Sequence, residues 1–175
     1  MDPIAHTCSG ILIGQGLCPQ PAVRPKTLLV AGLAAFAPDV DSVSYLWGSE
    51  AFFRLHHTYT HTLVGIGILA LVLAGIGLTE LSFGHLLVLN LAGGLIHLCG
   101  DLIALWPLHI LSPFCNYDFA LHWTRDFDYI VLGVMVVATG LSESDGLQHL
   151  VPWIIAGAFL LLTSYFMFIP GWGAA

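Results

Sequence analysis

Apolar runs divide the chain, and polar residues gather at their ends. Pro3 to Gln15 predicts a short helix, with Asp2 as N-cap and Pro3 in the first helical position, where a missing N–H costs nothing. The first charge is Asp2, where a signal peptide wants a basic start, so these residues are expected to belong to the domain. Gly16 to Pro25 holds three prolines and reads as a loop. Lys26 to Ala37 is apolar and stops at Pro38-Asp39-Val40-Asp41. Its twelve residues cover about 18 Å as a helix, less than the ~30 Å of a bilayer core, which predicts a half-span. His61 to Leu78, Phe83 to about Leu105 and Leu150 to Ile169 predict spanning helices, and Tyr129 to Gly140 a shorter one.

Composition supports lipid as the solvent. Of 175 residues, 57% are hydrophobic and 9% charged, with a mean hydropathy of +0.87; soluble domains carry about 25% charged residues. Residues 1–175 therefore read as one membrane-embedded domain, an all-α, multi-pass bundle of about five helices, in the cell membrane. Four Lys and Arg against eleven Asp and Glu give a net charge of −7 and leave no basic patch for nucleic acid. The four cysteines form no CxxC pair and read as small buried hydrophobes. Trp47, Trp106, Trp123 and Trp172 fit an interfacial belt. Nine histidines are the first sign of chemistry.

Letting the chain alternate sides brings the polar residues together. His6, Asp39, Asp41, His56, His57, His61, His97, Asp101, His122, Asp126 and Asp128 all fall on one side; Arg24, Lys26, Glu80, Glu143, Asp145 and His149 fall on the other. With Asp118, Arg54 and Arg125 added, the first side gathers six Asp (39, 41, 101, 118, 126 and 128) and two Arg. Carboxylates clustered against hydrocarbon are costly unless cations pair with them, and two or three divalent ions remove that cost.

The spacing carries the same message. His97 and Asp101 stand four apart within a helical pattern, so they share a face and can bind one metal or bridge two. His122 and Asp126 repeat the spacing at the head of the next helix. Asp39 and Asp41 point to opposite sides if extended, so that one binds metal while the other holds a ligand imidazole or a water. Either is a candidate general base. The His56-His57-Thr-Tyr-Thr-His61 run abuts a membrane span and is the densest cluster. His6 joins the set by its side of the bundle, and His109, after Trp106-Pro107, is a ligand or a substrate contact. The candidate metal ligands are thus His6, Asp39, His56, His57, His61, His97, Asp101, His109, His122 and Asp126, and Arg54, Arg125 and Trp106 are candidate substrate contacts.

The order His6, PDVD (38–41), HHTYTH (56–61), HLCGD (97–101) and HWTRD (122–126), with Pro113-Phe114 in the intervening loop, resembles the YdjM-like, LexA-regulated membrane-bound metal-dependent hydrolases over roughly residues 3 to 130. His57, Thr58 and Thr62 stand where that family often has Arg, Gly and Ser, and Leu105-Trp106 replaces a Thr-x-x-Gly region. More distantly, the ligand order is similar to that of zinc-dependent phospholipases C and P1-type nucleases, which cleave phosphodiesters with zinc ions held between helices. The resemblance implies a membrane hydrolase with two or three Zn²⁺, other divalent metals being alternatives, acting on a phosphoester of a membrane lipid. The alternative is a metal- or proton-coupled transporter. A relay needs ionisable groups across the bilayer, and the expected spans His61 to Leu78, beyond His61 itself, and Leu150 to Ile169 carry none. Arg24 and Lys26 on one side balance Arg54 and Arg125 on the other, so charge does not orient the bundle.

Overall fold

A computed structural model describes residues 1–17, 24–77, 79–104, 106–124, 128–144, 146–147 and 150–168. The described residues form seven α-helices: α1 (Pro3–Leu17), α2 (Arg24–Phe36), α3 (Ser49–Leu55), α4 (Leu63–Ile76), α5 (Phe83–Leu102), α6 (Tyr129–Glu143) and α7 (Val151–Phe168), with a 3-10 helix, Ala37–Trp47, between α2 and α3. Helix starts follow capping chemistry. Asp2 caps α1 through the amides of Ile4 and Ala5. Thr62, Ser82 and Asp128 accept from amides in the first turns of α4, α5 and α6. Gly77 ends α4 in the left-handed conformation that suits glycine.

The segment His61 to Leu78, expected to span, forms α4 of 14 residues, about 21 Å long and short of a bilayer core of about 30 Å. Two further expectations are corrected. The segment expected to stop at Pro38 continues: Arg24–Trp47 is helical throughout and, with Phe83–Leu102, is long and apolar enough to cross a membrane. Proline ends an α-helix but fits the first turn of a new one, and Pro38 occupies that place in the 3-10 helix. The second of these concerns cysteine. Cys8 is buried, whereas Cys99 and Cys115 are exposed. Cys18 and Trp172 lie outside the described residues.

The central helices alternate direction and touch through small residues. α1 packs on α2, and α2 on α5, which in turn packs on α4. Ala31, Ala34 and Ala35 are buried where α2 meets its neighbours, and a Cβ added to Gly93 of α5 would stand 2.7 Å from the Ala34 Cβ. Small residues let backbones approach where lipid offers no hydrophobic drive to associate. α6 and α7 pack on α1, and the Tyr165 hydroxyl donates to Asp128 Oδ2 at 2.9 Å. At one end, Gln15 and Arg24 bond Glu143, and Lys26 pairs with Glu80. At the other end, the start of α1, the ends of α2 and α5 and the approach to α4 come together. Residues 106–124 fold over that end: Leu108 and Phe119 exchange both backbone bonds as an antiparallel pair, and Leu121 donates to the Leu102 carbonyl.

Candidate metal centre

Each element delivers its polar residue to one buried point. His6 comes from the second turn of α1, Asp39 and Asp41 from the 3-10 helix, His56, His57 and His61 from the turn before α4, and His97 and Asp101 from the last two turns of α5. His6, His61, His97 and Asp101 are at most 1% exposed. A 3-10 run of eleven residues is unusual, since such helices seldom exceed three or four. It presents Asp39 to His61 and His97, and Asp41 to the 56–61 turn.

The distances describe a donor shell. His61 Nε2 and His97 Nε2 are 3.0 Å apart. Asp101 Oδ2 lies 2.9 Å from His97 Nε2 and 3.4 Å from His61 Nε2. Asp39 Oδ1 lies 3.6 Å and 3.8 Å from the same two nitrogens. Ligands bound to zinc at 2.0–2.1 Å with tetrahedral angles stand about 3.3 Å from one another. On the other side of Asp101, Oδ1 takes His6 Nε2 at 3.0 Å and the amino group of Met1. His6 stacks on His97, ring centroids 3.7 Å apart. Asp101 Oδ2 and Asp39 Oδ2 are buried without hydrogen-bond partners, as are His6 Nδ1 and His57 Nδ1. Buried polar atoms without partners are rare in folded proteins and call for an explanation such as an ion.

The ring nitrogens facing away from this point are held. The His97 Nδ1–H donates to the Ala35 carbonyl at 2.6 Å, and Asp41 accepts from His61 Nδ1 at 3.2 Å, from His56 Nδ1 at 2.7 Å and from the Thr60 hydroxyl at 2.7 Å. Fixing Nδ1–H leaves Nε2 as the lone-pair donor, the arrangement in which metal-binding histidines are oriented by a hydrogen bond from their other nitrogen. His57 adopts φ 65°, a left-handed conformation that histidine enters more readily than most residues, and its amide donates to Asp41. Burial, then the neighbouring His61, push the His57 imidazole down to about 3. Burial also works against a charged His61, but the bonds from Asp39 and Asp41 outweigh it and raise this group to about 9. Among the described residues, three groups bring donor atoms within 4.8 Å of one another: His56, His57 and His61; His6, His97 and Asp101; Asp39, His61 and His97. These groups could hold a metal ion.

Not every residue singled out in the sequence joins them. His122 is exposed, with φ 54°, and belongs to none of the described groups; its neighbours Leu121 and Trp123 are tied by their amides to Leu102 and Ile103, which turns this segment along the end of α5. His109 is drawn instead to Asp118, Nε2 to Oδ1 2.9 Å, and is absent from the described groups as well. That pairing follows from register: His109 and Asp118 sit next to the isolated antiparallel Leu108–Phe119 bridge, on its opposite sides. Sequence spacing carried no signal for it, since only the bridge brings the two together. Trp106 stacks on Phe53, and both line a cavity of about 200 Å³ with Phe52, His56, His57 and His109. Arg54 is exposed on α3. Asp126 and Arg125 lie outside the described residues.

Comparison with known proteins places the chain in a family. It is similar to the uncharacterized protein YfhP of Bacillus subtilis (strain 168), 24% identical over 174 residues. The match covers 93% of this chain and 53% of YfhP, so the chain spans about half the length of that relative. No solved structure matches. The family model described as YdjM inner membrane protein matches residues 1–170, and the chain therefore belongs to the YdjM family of inner membrane proteins.

Proposed function

We propose that the protein is a membrane-bound, metal-dependent hydrolase that cleaves a phosphoester in a lipid substrate. The observation that carries this reading is the convergence of His61 Nε2, His97 Nε2, Asp101 Oδ2 and Asp39 Oδ1, with separations of 2.9–3.8 Å, at a buried end of an apolar bundle. Imidazole with carboxylate suits Zn²⁺, and no thiolate is needed. Asp101 offers its second oxygen to His6, so a second ion would share that carboxylate. A divalent cation supplies Lewis acidity to a phosphoryl oxygen and makes water a stronger acid.

The chain's own residues do the rest. Asp41 positions His56 and His61. Asp39 keeps one buried oxygen without a partner, Oδ2, and that oxygen is the general base proposed to take a proton from the attacking water. An apolar bundle admits acyl chains from the side, which favours a lipid ester. Buried histidines and carboxylates gathered at one end, rather than strung across the bundle, favour a site over a transport path.

The test is metal content and hydrolysis together. Detergent-purified protein should hold at least two metal ions per chain, zinc foremost, by elemental analysis. It should release phosphate or a phosphorylated headgroup from lipid phosphoesters, and lose that activity on chelation. Protein holding less than one ion, and gaining none when zinc is added, overturns the reading.

A further inference from the structure

The cavity of about 200 Å³ beside the metal centre has two chemically different walls. One carries His56 and His57, which also belong to the donor groups. The other carries His109, and Phe52, Phe53 and Trp106 are among the remaining lining residues. His109 Nε2 is engaged by Asp118 Oδ1 at 2.9 Å, which leaves Nδ1 as the ring nitrogen for the cavity. Both members of the pair are open to water, His109 at 38% and Asp118 at 66% exposure. Their place is built rather than incidental, because the Leu108–Phe119 backbone pair sets them opposite each other. Leu108 is fully buried, and the adjacent Ile110 carbonyl accepts from the first amide of α4, so the loop is tied to the helix that follows His61.

We propose that His109, steadied by Asp118, donates the proton that the leaving oxygen needs when the phosphoester is cleaved. The inference rests on the hydrolase reading above and deepens it. Attack by water forms one P–O bond and breaks another. The water proton goes to Asp39, and the electron pair of the broken bond stays on the leaving oxygen. That oxygen takes the Nδ1 proton of His109 and departs as an alcohol. His109 regains its proton from solvent, and the proton on Asp39 is released to it. Asp118 is a positioning residue: it accepts the Nε2–H and fixes the ring, as carboxylates do for catalytic imidazoles.

The leaving group distinguishes this role from a structural or metal-binding one. A p-nitrophenyl ester needs no proton to leave; an n-octyl ester does. Single-turnover rates would be measured on both esters, as monoesters and as methyl diesters, with wild-type protein, His109→Gln and Asp118→Asn, each loaded with zinc. General-acid catalysis contributes about 10²- to 10⁴-fold. His109→Gln should therefore slow the octyl ester by about 100-fold or more and the nitrophenyl ester by less than about threefold, with zinc content unchanged. Asp118→Asn should show the same split, smaller in size, and it carries the test if His109→Gln fails to fold. Equal losses on both esters, no loss on either, or loss of zinc in His109→Gln overturns the proposal and leaves the hydrolase reading intact. Zinc-loaded wild-type protein that cleaves neither ester overturns both.

Discussion

Asp41 and Asp101 are both aspartates in the same cluster, yet they do different work. Asp101 meets Nε2 atoms, whereas Asp41 meets Nδ1 atoms and a threonine hydroxyl. Asp41→Asn should therefore weaken zinc binding by about 10–100-fold, the usual cost of losing a group that orients a metal-binding imidazole, and Asp101→Asn should weaken it further while the fold persists. Competition with a zinc chelator measures both, and Asp101→Asn with full occupancy would remove it from the ligand set. The histidines add a pH dependence of known sign. His61, raised to about 9, carries a proton below that pH that an ion must displace; His57, held at about 3, carries none above it. Zinc affinity should then rise about tenfold per pH unit from this group between pH 6 and 8. Calorimetry in buffers of different ionisation enthalpy would detect the released proton, and a flat profile would contradict it.

Among the elements, legibility followed physical cause. Helices α1 and α4 to α7 start and stop within a few residues of their expected bounds, because Asp2, Ser82, Asp128 and Gly77 act locally. The meeting of His6, Asp39, His61, His97 and Asp101 was legible for a different reason: antiparallel helices return polar ends to the same side. The 3-10 helix and α3 were not legible, since Pro38 reads as a stop unless a new helix begins there. Nor were the positions of His109 and His122, which depend on backbone pairing in residues 106–124. The contact between α2 and α5 links packing to the site. A Cβ on Gly93 would meet the Ala34 Cβ at 2.7 Å and the Ala35 nitrogen at 3.0 Å, and the Ala35 carbonyl holds His97. Gly93→Ala should cost about 1–3 kcal/mol by overpacking and weaken zinc binding as well. Thermal unfolding and zinc titration of the same preparation would check both; a stable variant with full affinity would separate the helix contact from the site.

At the scale of the whole molecule, ions held by His6, Asp39, His61, His97 and Asp101 would tie α1, the 3-10 helix, the turn before α4 and α5 together and should act as a staple. Zinc at 100 times its dissociation constant should stabilise the protein by about 2.7 kcal/mol, and chelation should lower the unfolding temperature in detergent accordingly. An unfolding temperature indifferent to zinc and chelator would mean that no ion ties these ends. The pairing of Gln15 with Glu143 has a consequence for the lipid itself. Gln15 and His6 lie on one helix, about 14 Å apart along its axis at 1.5 Å per residue, while a bilayer core is about 30 Å thick. If the end held by Gln15, Arg24 and Glu143 lies at one water boundary, the opposite boundary must dip toward the histidines or leave them sunk beneath it. Either outcome is a hydrophobic mismatch, and it costs more as acyl chains lengthen. Reconstituted in vesicles of graded chain length, the protein should take up zinc fastest in the thinnest membranes, so bilayer thickness becomes a control on access to the centre.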